Sequence, residues 1–99
     1  MGVNVYATGI TVRLSAEFDD GAGVPADPTT ITLRVRAPSG ELESYSYAQG
    51  EIAKDAAGKY HKDVAVTEGG HWHYRWEGAG AIEAVGEGRF YGELSRAAN

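Results

Sequence analysis

The run His71-Trp72-His73-Tyr74-Arg75-Trp76 alternates polar with aromatic side chains without a break. A period of two belongs to a β-strand, whose successive side chains leave on opposite faces, whereas a helix would scatter the same rings around its axis. Trp72, Tyr74 and Trp76 therefore share a face, and rings of that size are expected inside a core. His71, His73 and Arg75 share the other face, toward solvent or a partner. A chain that places its largest apolar side chains in this way is expected to be a β-sheet protein.

The same period recurs along the chain. Ile10, Val12, Leu14, Ala16 and Phe18 alternate with Thr11, Arg13, Ser15 and Glu17, which predicts a half-buried first strand. Residues 19–28 collect Asp, Gly and Pro, which suit turns and oppose ladder pairing, so the chain reverses there. Ile31, Leu33, Val35 and Ala37 mark a second strand, with Thr32, Arg34 and Arg36 outward. Pro38-Ser39-Gly40 predicts a hairpin or a short crossover into a third strand from Leu42 to Tyr47, where Tyr45 and Tyr47 share a face. A weaker stretch surrounds Ile52, Asp55 to Gly58 form a turn, and Tyr60, Val64 and Val66 mark the next strand. Lys62 falls in that inward row, so its stem must snorkel or the register must shift. The glycine-rich segments 78–80 and 86–88 read as loop, and a last strand carries Phe90.

About seven strands with turn signals every 8 to 12 residues or so predict an all-β fold, an antiparallel immunoglobulin-like β-sandwich. The segment Glu68-Gly69-Gly70-His71-Trp72 resembles the corner that leads into the sixth strand of such sandwiches, with tryptophan in the tyrosine place. An indole offers one donor and no acceptor, so this corner is expected to be built differently from a phenol's. A small closed barrel, or a sandwich that completes its sheet with a neighbour's strand, also accommodates the pattern. Residues 10–94 are expected to form the single domain, residues 1–9 an N-terminal arm or edge strand hinged at Gly9, and residues 95–99 a flexible tail.

Composition narrows the function classes. The 99 residues suffice for one core, and the absence of cysteine excludes disulfides and thiolate metal sites. A formal charge of -5, from 14 acidic and 9 basic residues, argues against nonspecific binding to nucleic acid or anionic membrane. No segment approaches the ~20 apolar residues of a membrane span, and the N-terminus lacks the pattern of a signal peptide, so the chain is expected to stay in the cytoplasm where it is made. Another protein is the expected partner.

Three groups of residues bear on chemistry. His71 and His73 have the two-residue spacing of some zinc sites, but His61, the remaining histidine, falls on a strand assigned to the other sheet. Asp19, Asp20 and Asp27 lie in a glycine-rich loop without the spacing of a calcium loop and read as a solvated turn. Tyr45, Tyr47, Trp72, Tyr74, Trp76 and Phe90 would stack sugars if exposed, yet alternation sends most of them inward. With no nucleophile elbow and no phosphate loop, the chain is expected not to be an enzyme and to use no cofactor or metal. The candidate partner-binding residues are Val3, Val5 and Tyr6 on the arm, Arg34 and Arg36 on the second strand, and His71, His73 and Arg75 on the aromatic strand.

Four stretches carry a resemblance: Thr11 to Phe18, Pro25-Ala-Asp-Pro-Thr-Thr through Pro38-Ser-Gly40, Asp55-Ala-Ala-Gly-Lys-Tyr60, and Gly70 through Trp76-Glu-Gly-Ala-Gly80. Over roughly Ile10 to Tyr91 the chain resembles small stand-alone proteins encoded among the structural genes of tailed bacteriophages and prophages. These marks set strands and turns rather than active-site chemistry. The resemblance implies a virion structural protein, a head-tail connector, neck or tail component, that assembles with other virion proteins in a homo-oligomeric ring or in repeated copies. It implies a virion location and leaves two alternatives, a capsid decoration protein or a carbohydrate- or receptor-binding immunoglobulin-like module.

Overall fold

The aromatic alternation is strand β7, Gly70–Ala79, the centre of a five-stranded sheet. The computed structural model describes residues 4–93. The remaining strands are β1 (Asn4–Ala7), β2 (Thr11–Glu17), β3 (Thr30–Arg36), β4 (Leu42–Ser46), β5 (Ala53–Ala56), β6 (Lys59–Ala65) and β8 (Ala84–Glu93). They form an all-β molecule of two sheets, in the order β1-β8-β7-β3-β4 and β2-β6-β5. The chain leaves the larger sheet between β1 and β2, returns to it between β2 and β3, leaves again between β4 and β5, and returns between β6 and β7.

The inward rows meet between the sheets as a β-sandwich. Val12, Leu14, Tyr60 and Val64 come from the smaller sheet, while Ile31, Leu33, Val35, Trp72, Trp76 and Phe90 come from the larger. Trp72 stacks on Phe90 with ring centroids 5.5 Å apart, and Phe18 meets Tyr60 edge-on at 5.9 Å. Such ring pairs add about 0.5 to 1.5 kcal/mol beyond the apolar area they bury. Lys62 keeps its inward place without a register shift, facing Leu14 in the ladder, and snorkels so that its ammonium lies 4.6 Å from the centre of the Tyr45 ring on the opposite sheet.

Several turns follow their sequence signals. The segment between β3 and β4 closes a hairpin through Gly40 N–H donating to the Ala37 carbonyl at 2.8 Å. Gly58 turns β5 into β6 with φ of 72°, and a Cβ there would meet the Phe18 carbonyl oxygen at 2.3 Å, so the site needs glycine for both conformation and space. At the corner before β7, the Trp72 indole donates to the Glu68 carbonyl at 3.1 Å. The Glu68 carboxylate accepts from the backbone and hydroxyl of Ser39, at 3.0 and 3.1 Å, and so ties this corner to the β3–β4 turn. The corner is built on backbone and serine rather than on a phenol.

Four expectations need correction. The described residues hold eight strands, because residues 4–7 pair in parallel with β8 as an edge strand of their own domain. Gly78 and the glycines at 86 and 88 lie within strands, since neighbouring β7 and β8 supply ladder partners that local propensity does not register. Gly88 is required there by space: its missing side chain leaves room for the Tyr74 ring, whose hydroxyl a Cβ would meet at 2.3 Å. Ile10 precedes the first ladder residue of β2 and is 42% exposed instead of joining the core. Tyr47 leaves the strand for a short 3₁₀ turn, Tyr47–Gln49, and sets its ring edge-on against Tyr60 at 5.3 Å. The expected tail, residues 95–99, lies outside the described residues.

Candidate functional site

The ladders decide which outward residues become neighbours. Pairing of β3 with β7 sets Arg34 opposite Arg75 and Arg36 opposite His73. Pairing of β7 with β8 sets His71 opposite Tyr91, His73 opposite Arg89 and Arg75 opposite Glu87, and β1 adds Val5 beside Tyr91. Val5, Arg34, Arg36, His71, His73 and Arg75 thus fall on one surface, the outer face of the five-stranded sheet. Tyr6 does not join them: it has the other parity on β1, and its ring meets Phe90 edge-on at 5.7 Å. Val3 lies outside the described residues.

This face divides into two charge environments. Toward the Ala79 end of β7, Glu77 sits between two guanidiniums, 2.9 Å from Arg34 Nη1 and 2.8 Å from Arg75 Nε. Glu87 takes a second Arg75 nitrogen at 2.9 Å. These hydrogen bonds hold the Arg75 guanidinium above its ordinary value, first through Glu77 and then through Glu87. They also relieve the repulsion of two arginines placed directly across the ladder. One register step on, Arg36, His73 and Arg89 form a transverse row over three adjacent strands. All three are exposed and have no hydrogen-bond or ion-pair partner among the described residues. Between the two environments lies a shallow groove of about 300 Å³ whose wall includes Arg34, Arg36, Leu42, His73 and Arg75. Leu42 is 49% exposed there, and Val5 and Val85 are each 57% exposed on the same sheet.

Arg89, Glu77, Glu87 and Leu42 complete a surface that the sequence reading populated only in part. The signal for Arg89 and Glu87 was the period of two that they share with Val85 and Tyr91, masked by the glycines between them.

The other candidate groups are placed apart. His61 lies on β6 in the smaller sheet, with Nδ1 2.8 Å from Asp55, while His71 sets its ring edge-on to Tyr91 at 5.0 Å. No group of three or more His, Cys, Asp or Glu side chains that could hold a metal occurs among the described residues. The three aspartates of the loop after β2 diverge. Asp19 and Asp20 accept backbone N–H groups of their own loop, from Gly21 and Ala22, at 2.8 Å each. Asp27 instead reaches the β5–β6 hairpin, accepting from Lys54, from Gly58 N–H and from the Tyr60 hydroxyl, at 2.7 to 2.8 Å. The Lys54 bond first, then those from Gly58 and Tyr60, pull its carboxyl down to about 2. Burial, and then the bond to Asp27, push the Tyr60 phenol up.

Comparison of the chain with protein-family models, with curated proteins and with solved structures found no match. No helix among the described residues is long and apolar enough to cross a membrane.

Proposed function

We propose that the chain is a non-enzymatic structural protein of a tailed-phage virion, a head-tail connector, neck or tail component that assembles in several copies on an immunoglobulin-like sandwich. The observation that carries the assembly role is the outer face of the five-stranded sheet, where exposed Val5, Leu42 and Val85 accompany a cationic row that has no counter-ion among the described residues. Exposed apolar groups and unmatched charge on a flat sheet suit docking of a protein surface better than the enclosed apolar pocket that a small substrate requires. The strand order supports the immunoglobulin-like reading: β2, β6 and β5 correspond to one sheet of that fold, and β8, β7, β3 and β4 to the other with its added edge strand. The Trp72 bond to the Glu68 carbonyl is the counterpart of that fold's tyrosine corner.

Particles purified from cells in which the chain is expressed from its own genomic setting test the proposal. Quantitative mass spectrometry is expected to find the protein in several copies per particle, and disruption of its gene to block assembly or joining of heads and tails. Particles that lack the protein and remain fully infectious would overturn the reading.

A further inference from the structure

The cationic row has a complement on the same molecule that it cannot reach. Beyond the Ala79 end of the larger sheet, Glu17, Asp19, Asp20 and Glu83 surround a cavity of about 380 Å³. None of the four carboxylates has an ion-pair partner among the described residues. Arg36, His73 and Arg89 lie six ladder positions from Ala79 along β7, about 20 Å at the rise of a strand. That is more than two Debye lengths in physiological salt, so the two groups do not neutralise each other within one copy.

We propose that the acidic tip of one copy docks on the Arg36–His73–Arg89 row of the next, making a head-to-tail contact between identical chains. Charge complementarity selects this occupant: the protein carries both a concentrated cationic row and a concentrated anionic tip, neither with an ion-pair partner among the described residues. The tip is also preorganised. The Asp19 and Asp20 carboxylates pin their own loop, Asp20 N–H donates to the Val24 carbonyl at 3.0 Å, and Asp19 bridges to Pro25, so docking orders little chain. Each carboxylate oxygen retains capacity to accept from a guanidinium. Exposed Leu42 beside the row supplies apolar area at the contact. Because the two patches differ, the contact is heterologous and propagates, closing into a ring if the rotation between copies permits. The inference names the partner of the face described above and rests on reading the chain as a repeated subunit.

Sedimentation velocity at about 50 mM and about 500 mM salt tests it, since exposed charges are screened at the higher value. Wild-type protein is expected to associate at low salt and dissociate at high salt. Arg36→Glu with Arg89→Glu, and separately Glu17→Lys with Glu83→Lys, are each expected to weaken association at least tenfold while circular dichroism stays unchanged. None of these four side chains makes a hydrogen bond or ion pair within the described residues, so folding is spared. A one-to-one mixture of the two proteins should associate again, in pairs, because the unaltered acidic tip of the first meets the unaltered cationic row of the second. A wild-type protein that stays monomeric at low salt, reversed proteins that associate as before, or a mixture that fails to associate would overturn the proposal. If the wild type is monomeric but the Arg36→Glu, Arg89→Glu protein is lost from particles, the row binds a different acidic virion protein, and the structural role stands without self-docking. If the mixture rescues association and the protein is absent from particles, the docking stands and the virion role falls.

Discussion

At the Gly70 end of β7, the buried indole of Trp72 gives its N–H to the Glu68 carbonyl, while the outer face carries Arg36, His73 and Arg89 without counter-ions among the described residues. Four residues on, the outer face is neutralised by Glu77 and Glu87, while the buried Trp76 indole N–H has no partner among the described residues. The two ends of one strand thus invert the pairing of polar groups inside and outside. Alternation makes this possible, because adjacent residues meet different surroundings and are satisfied independently. It also separates roles. The Trp72 corner and the Glu77 network are internal structure, whereas the row is exposed charge with no ion-pair partner among the described residues.

The largest expected effect tests the inner face. Trp72→Ala and Trp76→Ala should each lower stability by about 3 to 5 kcal/mol, read from denaturant unfolding, because each empties a large volume between the sheets. Phenylalanine sharpens the contrast: Trp72→Phe should cost about 1 kcal/mol more than Trp76→Phe, since only the first abolishes a hydrogen bond and leaves the Glu68 carbonyl without its indole donor. Equal losses in the two phenylalanine variants would show that the indole N–H groups do not distinguish the ends.

A smaller effect separates the paired from the unpaired carboxylates. Asp27 has its folded value pulled down to about 2, below the unfolded value of about 3.9, so the stability it contributes is fully present above about pH 4 and is lost as pH falls through about 2. Asp27→Asn should therefore lower the melting temperature at neutral pH. Its difference from wild type should shrink between about pH 4 and about pH 2. A difference that persists unchanged to pH 2 would assign Asp27 a role that does not depend on its charge.

The smallest effects belong to the outer face. Glu77→Gln breaks bonds to two partly exposed arginines and should cost about 0.5 to 1 kcal/mol. Arg36→Ser and Arg89→Ser should change the stability of the monomer by less than about 0.5 kcal/mol. Chemical denaturation of these three proteins distinguishes the ends: a loss at Arg36 or Arg89 as large as that at Glu77 would mean that the row has internal partners after all.

Much of the sandwich was legible because the deciding signals are local. The inward rows of Val12 and Leu14, of Ile31 to Val35, and of Trp72 and Trp76 follow a period of two that one strand carries by itself. The hairpin at Pro38-Ser39-Gly40 and the turn at Gly58 are written in residues with restricted or permissive backbones. Legibility failed where a neighbour overrode local preference. The glycines at 86 and 88 are poor strand formers, yet β7 supplies them a full ladder, and Tyr74 needs the space at Gly88. Residues 4–7 look like a detachable arm until β8 provides an edge to pair with.

By itself the sequence determined the strand class, the two faces of each strand and the turns, because these depend on spacing and backbone chemistry within a few residues. Only the tertiary structure decided which outward side chains meet. Arg34 reaches Glu77 across 43 residues of chain, Asp27 reaches Tyr60 across 33, and Arg89 joins Arg36 and His73 only because β8 and β3 flank the same strand. Such contacts are fixed by the register between strands distant in sequence, which the shared burial of the inner rings sets and no local period encodes.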